Sequence, residues 1–179
     1  MIVYHGTSEQ RAQKILADKL IKHKVDRVHT LERTKTTDGY IYVSDKFSVS
    51  AYFGNLATII EDTESPYFFI FEIEIHKDEL LPDLDETNPK INLYLDESKS
   101  YENLGAEQSF KLFHSASIKR NLKLGVEVKR YMKLPSSSLF GKTDRDLREF
   151  SLEIVRSGKN KKDYPLENVM QRFSWISVG

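Results

Sequence analysis

Two short stretches of this 179-residue chain hold most of the side chains that could do chemistry together. The first is Tyr4-His5-Gly6-Thr7. The second runs Gly39-Tyr40-Ile41-Tyr42-Val43-Ser44-Asp45-Lys46-Phe47-Ser48-Val49-Ser50-Ala51-Tyr52-Phe53. Between them they offer an imidazole, several aromatic rings and several hydroxyls. At Gly6 the backbone can be approached with no Cβ in the way. Each stretch alone carries a weak signal. A histidine at a strand end is more often a satisfied structural residue than a ligand contact, and a tyrosine in a strand is more often core. The order and mutual spacing of the two stretches make the difference. Cysteine is absent, which excludes disulfides, thiolate nucleophiles and cysteine-based zinc sites.

Taken as a pair, the stretches resemble the poly(ADP-ribose) polymerase branch of the ADP-ribosyltransferase family, also called diphtheria-toxin-like. In that branch a strand ends in His-Gly-Ser or His-Gly-Thr and runs into a helix. A loop follows, then a Gly-x-Tyr-type strand, a polar turn and a Ser-Ala-x-aromatic helix. Here His5-Gly6-Thr7 matches the first element, Tyr42 the first aromatic, Ser50-Ala51 the Ser-Ala pair and Phe53 the second aromatic. The match is close over the first third of the chain. Beyond that it rests on the strand pattern and one acidic residue.

The resemblance implies an α+β fold with an ADP-ribosyltransferase-like split β-sheet core, flanking helices and NAD as co-substrate. In that reading the nicotinamide lies between Tyr42 and Phe53, with its carboxamide held by the backbone at Gly6 and the hydroxyl of Ser50. His5 bonds the adenosine ribose, and Thr7 completes the motif. If His5 is instead structural, its ring is satisfied by a backbone partner.

Breaking the nicotinamide bond develops oxocarbenium character on the ribose, and hydrogen bonds to a sugar 2-hydroxyl strengthen as that charge grows. The family supplies a carboxylate for this at the start of a later strand. Glu72 and Glu74, mid-strand, and Glu127, between Val126 and Val128, read as solvated charges. Glu107 directly precedes an expected strand over residues 109–113 and follows the small residues Gly105-Ala106, so it is the candidate catalytic residue. The register of Glu107-Gln108-Ser109 stays open by one or two places.

These residues need elements to position them. Ile2-Val3-Tyr4 reads as a strand ending at Gly6. Thr7 and Ser8 are cap residues for a helix carrying Ala12, Ile15, Leu16 and Leu20 on one face. Residues 21–38 form a polar loop with Lys22, Lys24, Arg27, Arg33, Lys35, His23 and His29, which either contact phosphates or are simply solvated. Residues 40–43 read as a strand, and Ser44 or Asp45 as the cap of a short helix through Phe53. Phe69, Phe71, Ile73 and Ile75 mark the apolar face of the clearest strand, 68–75. Residues 80–102 are acidic and irregular, and a strand spans 125–131. Leu147, Phe150, Ile154 and Val155 give the tail an apolar helical stripe. The basic link Lys159-Asn160-Lys161-Lys162 then leads to a short helix through Phe173. The expected division is a catalytic core over 1–134 and a helical C-terminal extension over 135–179, packed on the same domain.

Lys plus Arg and Asp plus Glu both number 27, so no global charge draws the chain to nucleic acid. No run approaches the about 18 apolar residues of a membrane span, and no signal peptide is evident, so a soluble cytoplasmic protein is expected. The resemblance implies transfer of ADP-ribose to a macromolecule, with nucleic acid slightly favoured over protein by the basic loop and link. Small toxin and anti-phage defence transferases have this size, and an antitoxin or inhibitor protein is a possible partner of such an enzyme. Three alternatives stand beside it. They are NAD glycohydrolysis, a catalytically inactive binding module, and an RNA 2′-phosphotransferase, for which the required extra His and Arg set is not found.

Overall fold

The computed structural model describes residues 1–24, 37–88, 92, 95–96, 100–101, 103–138 and 142–179. Of the basic loop expected over 21–38, Arg27, His29, Arg33 and Lys35 lie outside these residues. The chain opens with β1 (Ile2–Ser8), α1 (Glu9–Asp18), β2 (Leu20–Ile21), β3 (Ile41–Ser44), α2 (Phe47–Glu61) and β4 (Tyr67–Glu74). It continues with β5 (Leu81–Pro82), α3 (Ala106–Phe113), β6 (Ser115–Ile118), β7 (Leu122–Lys123) and β8 (Val128–Pro135). The tail holds α4 (Arg145–Lys159), α5 (Leu166–Met170) and β9 (Ile176–Ser177). The architecture is mixed, with helices on both faces of a mostly antiparallel sheet. Seven strands run in the order β5-β6-β3-β1-β4-β8-β9, and β2 pairs with β7 in a separate two-stranded sheet.

The sheet is buried on both faces because β4 is apolar on both. Phe69, Phe71 and Ile73 pack with Val3, Ala12 of α1, Phe110 of α3 and Ile118. Phe68 and Ile70 face the other way, into Phe47 and Ala51 of α2, Ile154 of α4 and Val169 of α5. The join between β1 and β3 is narrow. Their register is the single pair Tyr4↔Ser44, whereas β1 follows β4 from Ile2↔Glu74 to Ser8↔Phe68.

Several expectations change. Strand β1 continues to Ser8, whose side chain is the N-cap of α1. Leu20, assigned to that helix, belongs to β2, because Lys19 adopts φ 53 and stops the helix. Residues 109–113 are helix, not strand: Ala106, Ser109, Phe110 and Phe113 lie at helical spacing, and Ser109, Phe110 and Phe113 are the buried positions. The Gln108 side chain accepts the Gly105 N–H at 2.8 Å, closing the first turn. Strand β8 starts at Val128 because Gly125, at φ 80, turns the chain between β7 and β8.

Glu72 is not a solvated charge. It is 7% exposed and makes a two-point pair with its cross-strand partner Arg130, both contacts at 2.8 Å. Arg130 in turn lies 4.7 Å from the Trp175 ring centre. Glu127 is also paired, with Arg120 at 2.7 Å. Glu74 is largely exposed, with Lys129 at 3.4 Å.

The tail is bound to the sheet and to α2. Strand β9 pairs with β8, and α4 begins at Asp144, whose side chain accepts the Leu147 N–H at 3.0 Å. At its other end α4 meets the start of α2 so closely that a Cβ at Gly158 would lie 1.8 Å from the Ser48 carbonyl oxygen and 2.3 Å from its carbon. The Ser48 hydroxyl donates to the Lys162 carbonyl at 2.6 Å. Backbone atoms cannot yield as a side-chain tip does. Gly158→Ala is therefore expected to cost about 2–3 kcal/mol and to lower Tm by roughly 5–10 °C in thermal unfolding. An unchanged Tm would show that the α2–α4 contact opens freely.

Candidate functional site

The site is built where β1, β3 and α2 meet. Gly6 sits under α2: a Cβ there would lie 1.9 Å from the Ser50 carbonyl oxygen and 2.8 Å from the Gly54 nitrogen. The glycine is thus required by the helix itself, a stronger constraint than ligand approach. Ser50 is buried, and its hydroxyl donates to the Tyr4 carbonyl at 2.9 Å, tying α2 to β1. Thr7 is buried beside Gly54. The His5 ring meets the Tyr42 carbonyl through Nδ1 at 2.8 Å, the backbone partner expected of a structural histidine. Phe53, the residue before Gly54, stays 37% exposed. The structure thus brings His5 to Tyr42, and Gly6 and Thr7 to Ser50 and Gly54 of α2, with Phe53 one residue before that glycine.

Glu107 stands apart from this description. It lies in the first turn of α3 rather than at the start of a strand, its side chain 82% exposed and paired with Lys111 at 2.9 Å. That pair, one helical turn apart, holds its carboxyl below the usual carboxylate range.

The carboxylates that do reach the neighbourhood come from the turn after β5. Asp83 is 4% exposed. Its N–H donates to the Ser109 hydroxyl of α3 at 3.0 Å, and Ser109 donates to the Ser115 carbonyl at 2.7 Å. The Asp83 carboxyl accepts the N–H groups of Asp85 and Glu86, both at 3.0 Å, and so shapes the turn that presents them. Asp85, 9% exposed, accepts the N–H and hydroxyl of Thr37 at 2.8 and 2.7 Å. The Tyr42 hydroxyl donates to the Thr37 carbonyl at 3.4 Å. Burial, with the Asp85 charge beside it, raises the Tyr42 hydroxyl far above its ordinary value, so it stays a neutral donor.

Glu86 faces the other way. Its carboxylate accepts the Asn92 amide at 2.8 Å and the Lys161 ammonium at 3.1 Å. That ammonium also donates to the Phe113 carbonyl at 3.1 Å and lies 5.6 Å from the Phe53 ring centre. Through Asp85, Glu86 and Lys161, the Tyr42 and Phe53 sides of the site are connected. Two sequence signals precede this arrangement: the acidic stretch over 80–102 and the basic link before Pro165. Among the described residues no group of three or more His, Asp or Glu is arranged to hold a metal ion, and the cation in this acidic turn is a lysine.

Burial pushes Asp83 up to about 6, from an ordinary value of 3.8. Between those two pH values the unfolded chain releases a proton that the folded chain keeps. Stability therefore falls as pH rises through that window and stays reduced above it. Asp83→Asn keeps an oxygen for the two N–H groups and removes the charge. It is expected to match the wild type at pH 4 and to exceed it at pH 7.5 by on the order of 2–3 kcal/mol in denaturant unfolding. Equal destabilisation at both pH values would mean that Asp83 is not held as a buried acid.

No protein-family model matches the chain, and no curated relative matches it. Among solved structures, a point mutant of the Escherichia coli heat-labile enterotoxin is similar to it with a TM-score of 0.41 and 14% identity, over 93% of this chain and 84% of that chain. No helix of the described residues is long and apolar enough to cross a membrane.

Proposed function

We propose that this chain is an ADP-ribosyltransferase-like enzyme that cleaves NAD and passes the ADP-ribose to a macromolecular acceptor. The observation that carries the reading is the convergence of His5, Gly6, Tyr42 and Ser50, from two separate stretches, where β1 meets β3 and α2. The narrow β1–β3 join supports a split sheet with a cleft along it. In this reading the nicotinamide takes the space between Tyr42 and Phe53, and the neutral Tyr42 hydroxyl is directed to the Thr37 carbonyl.

The bond that breaks joins the ribose anomeric carbon to the pyridinium nitrogen, and its electron pair leaves with neutral nicotinamide. The bond that forms joins that carbon to an oxygen or nitrogen of the acceptor, which gives up a proton. The carboxylate that steadies the ribose in between is Glu86 in this reading, ahead of Glu107. Glu86 has a side chain 19% exposed and lies beside the cation over Phe53, whereas Glu107 points to solvent with Lys111. Lys159 and Lys162 are exposed and available to a nucleic-acid acceptor, while Lys161 turns inward. A second reading, a catalytically silent module, is favoured by that same Lys161, which covers one face of the cleft.

Three measurements test the proposal. Purified protein is expected to release nicotinamide from NAD. With NAD labelled in its adenine half and cell lysate, the label should enter material removed by nuclease, or by protease if the acceptor is protein. Label in neither, with nicotinamide still released, would mean hydrolysis. Glu86→Gln is expected to slow release by two or more orders of magnitude at saturating NAD, about 3 kcal/mol of barrier. Glu107→Gln and Glu74→Gln should keep the wild-type rate. The reverse result would return the catalytic role to Glu107. No release by the wild type at any NAD concentration would favour the silent module.

A further inference from the structure

The basic link after α4 is the part of the sequence whose placement the function above does not explain. It is fastened at several points. The Lys46 ammonium donates to the Lys161 carbonyl at 3.1 Å, the Ser48 hydroxyl to the Lys162 carbonyl at 2.6 Å, and Gly158 is pressed against Ser48. Lys161 itself takes a left-handed backbone conformation, φ 56, which an L side chain rarely adopts without compensation. The compensation is visible at the other end of the side chain. The ammonium gains the Glu86 carboxylate, the Phe113 carbonyl and the face of Phe53. A carboxylate, a carbonyl oxygen and an aromatic face together favour a cation.

We propose that Lys161 is an internal competitor that fills a cation subsite formed by Glu86, the Phe113 carbonyl and Phe53, and that a flat cationic ligand ring must displace it. The inference rests on the NAD reading above, because the oxidised nicotinamide ring is such a cation and uses the same Phe53 face. The link is anchored through its backbone to α2, so the side chain can swing out without unfolding the tail. The ligand-free chain then holds its ring site shut, and the apparent affinity for NAD is lowered by the fraction of molecules in which Lys161 is bound. An acceptor or partner with a carboxylate or phosphate able to draw Lys161 outward would open the site. Specificity follows as well. The subsite favours the charged pyridinium over the neutral reduced ring, which gains nothing from Glu86.

The test compares the wild type with Lys161→Gly, Lys161→Met and Lys161→Arg. Glycine relieves the left-handed backbone and removes the cation, methionine removes the charge while keeping length, and arginine retains the charge. The probes are N1-methylnicotinamide as the cationic ring, nicotinamide as the neutral one, and NAD in steady-state kinetics. Lys161→Gly is expected to bind N1-methylnicotinamide about five- to twentyfold more tightly than the wild type and to lower KM for NAD to a similar degree. Lys161→Met should follow it, Lys161→Arg should stay near the wild type, and nicotinamide affinity should change little in any of them. A wild type that cleaves NAD, alongside Lys161→Gly and Lys161→Met variants with unchanged or raised KM, would overturn the competitor and leave the enzymatic reading standing. Failure of every variant to bind the cationic ring or release nicotinamide would overturn both.

Discussion

The close approach of α2 to β1 is the constraint on which the rest of the site depends. It is possible only because residue 6 is glycine and residue 54 is glycine. A Cβ at Gly6 would overlap the Ser50 carbonyl, and one at Gly54 would lie 2.9 Å from the Phe68 ring. With the helix seated this deeply, the Ser50 hydroxyl reaches the Tyr4 carbonyl. The same seating turns the start of α2 towards Gly158, so the helix carries α4 and the basic link on its far side. One close contact therefore fixes the ring at Phe53 from one direction and the lysine that covers it from another.

A second constraint is the buried acid at Asp83. A carboxyl 4% exposed is held through its own N–H by Ser109 and spends its oxygen on two successive backbone donors. Burying it weakens folding above its pKa. The return is a turn with a defined shape, in which Asp85 steadies Thr37 and Tyr42 while Glu86 points to Asn92 and Lys161. An apolar residue at position 83 would leave both N–H groups without that partner and the two carboxylates without a fixed direction.

Local pattern revealed the elements that local chemistry decides. The apolar face of β4, the stripe of α4, and the placement of Tyr42 on a strand and of Ser50 and Phe53 on a helix were legible. What was not legible depends on partners far away in sequence. Glu72 looks solvated until Arg130, across the ladder, and Trp175, at the end of the chain, are brought to it. Glu107 reads as the residue before a strand over 109–113. Yet Leu112 is 50% exposed, and burial at Ser109, Phe110 and Phe113 follows the helix period. The inward turn of Lys161 required knowing that α4 ends against α2.

The central claim is that Tyr42 and Phe53 form the two sides of a site for the nicotinamide ring of NAD. The most direct measurement is nuclear Overhauser contact between ligand and ring protons in the Glu86→Gln protein saturated with NAD. Contacts from the nicotinamide protons to both Tyr42 and Phe53 are expected, together with a shift of the Lys161 side-chain resonances as the ammonium leaves Phe53. Nicotinamide contacts confined to other rings, such as Tyr131 or Trp175, would contradict it.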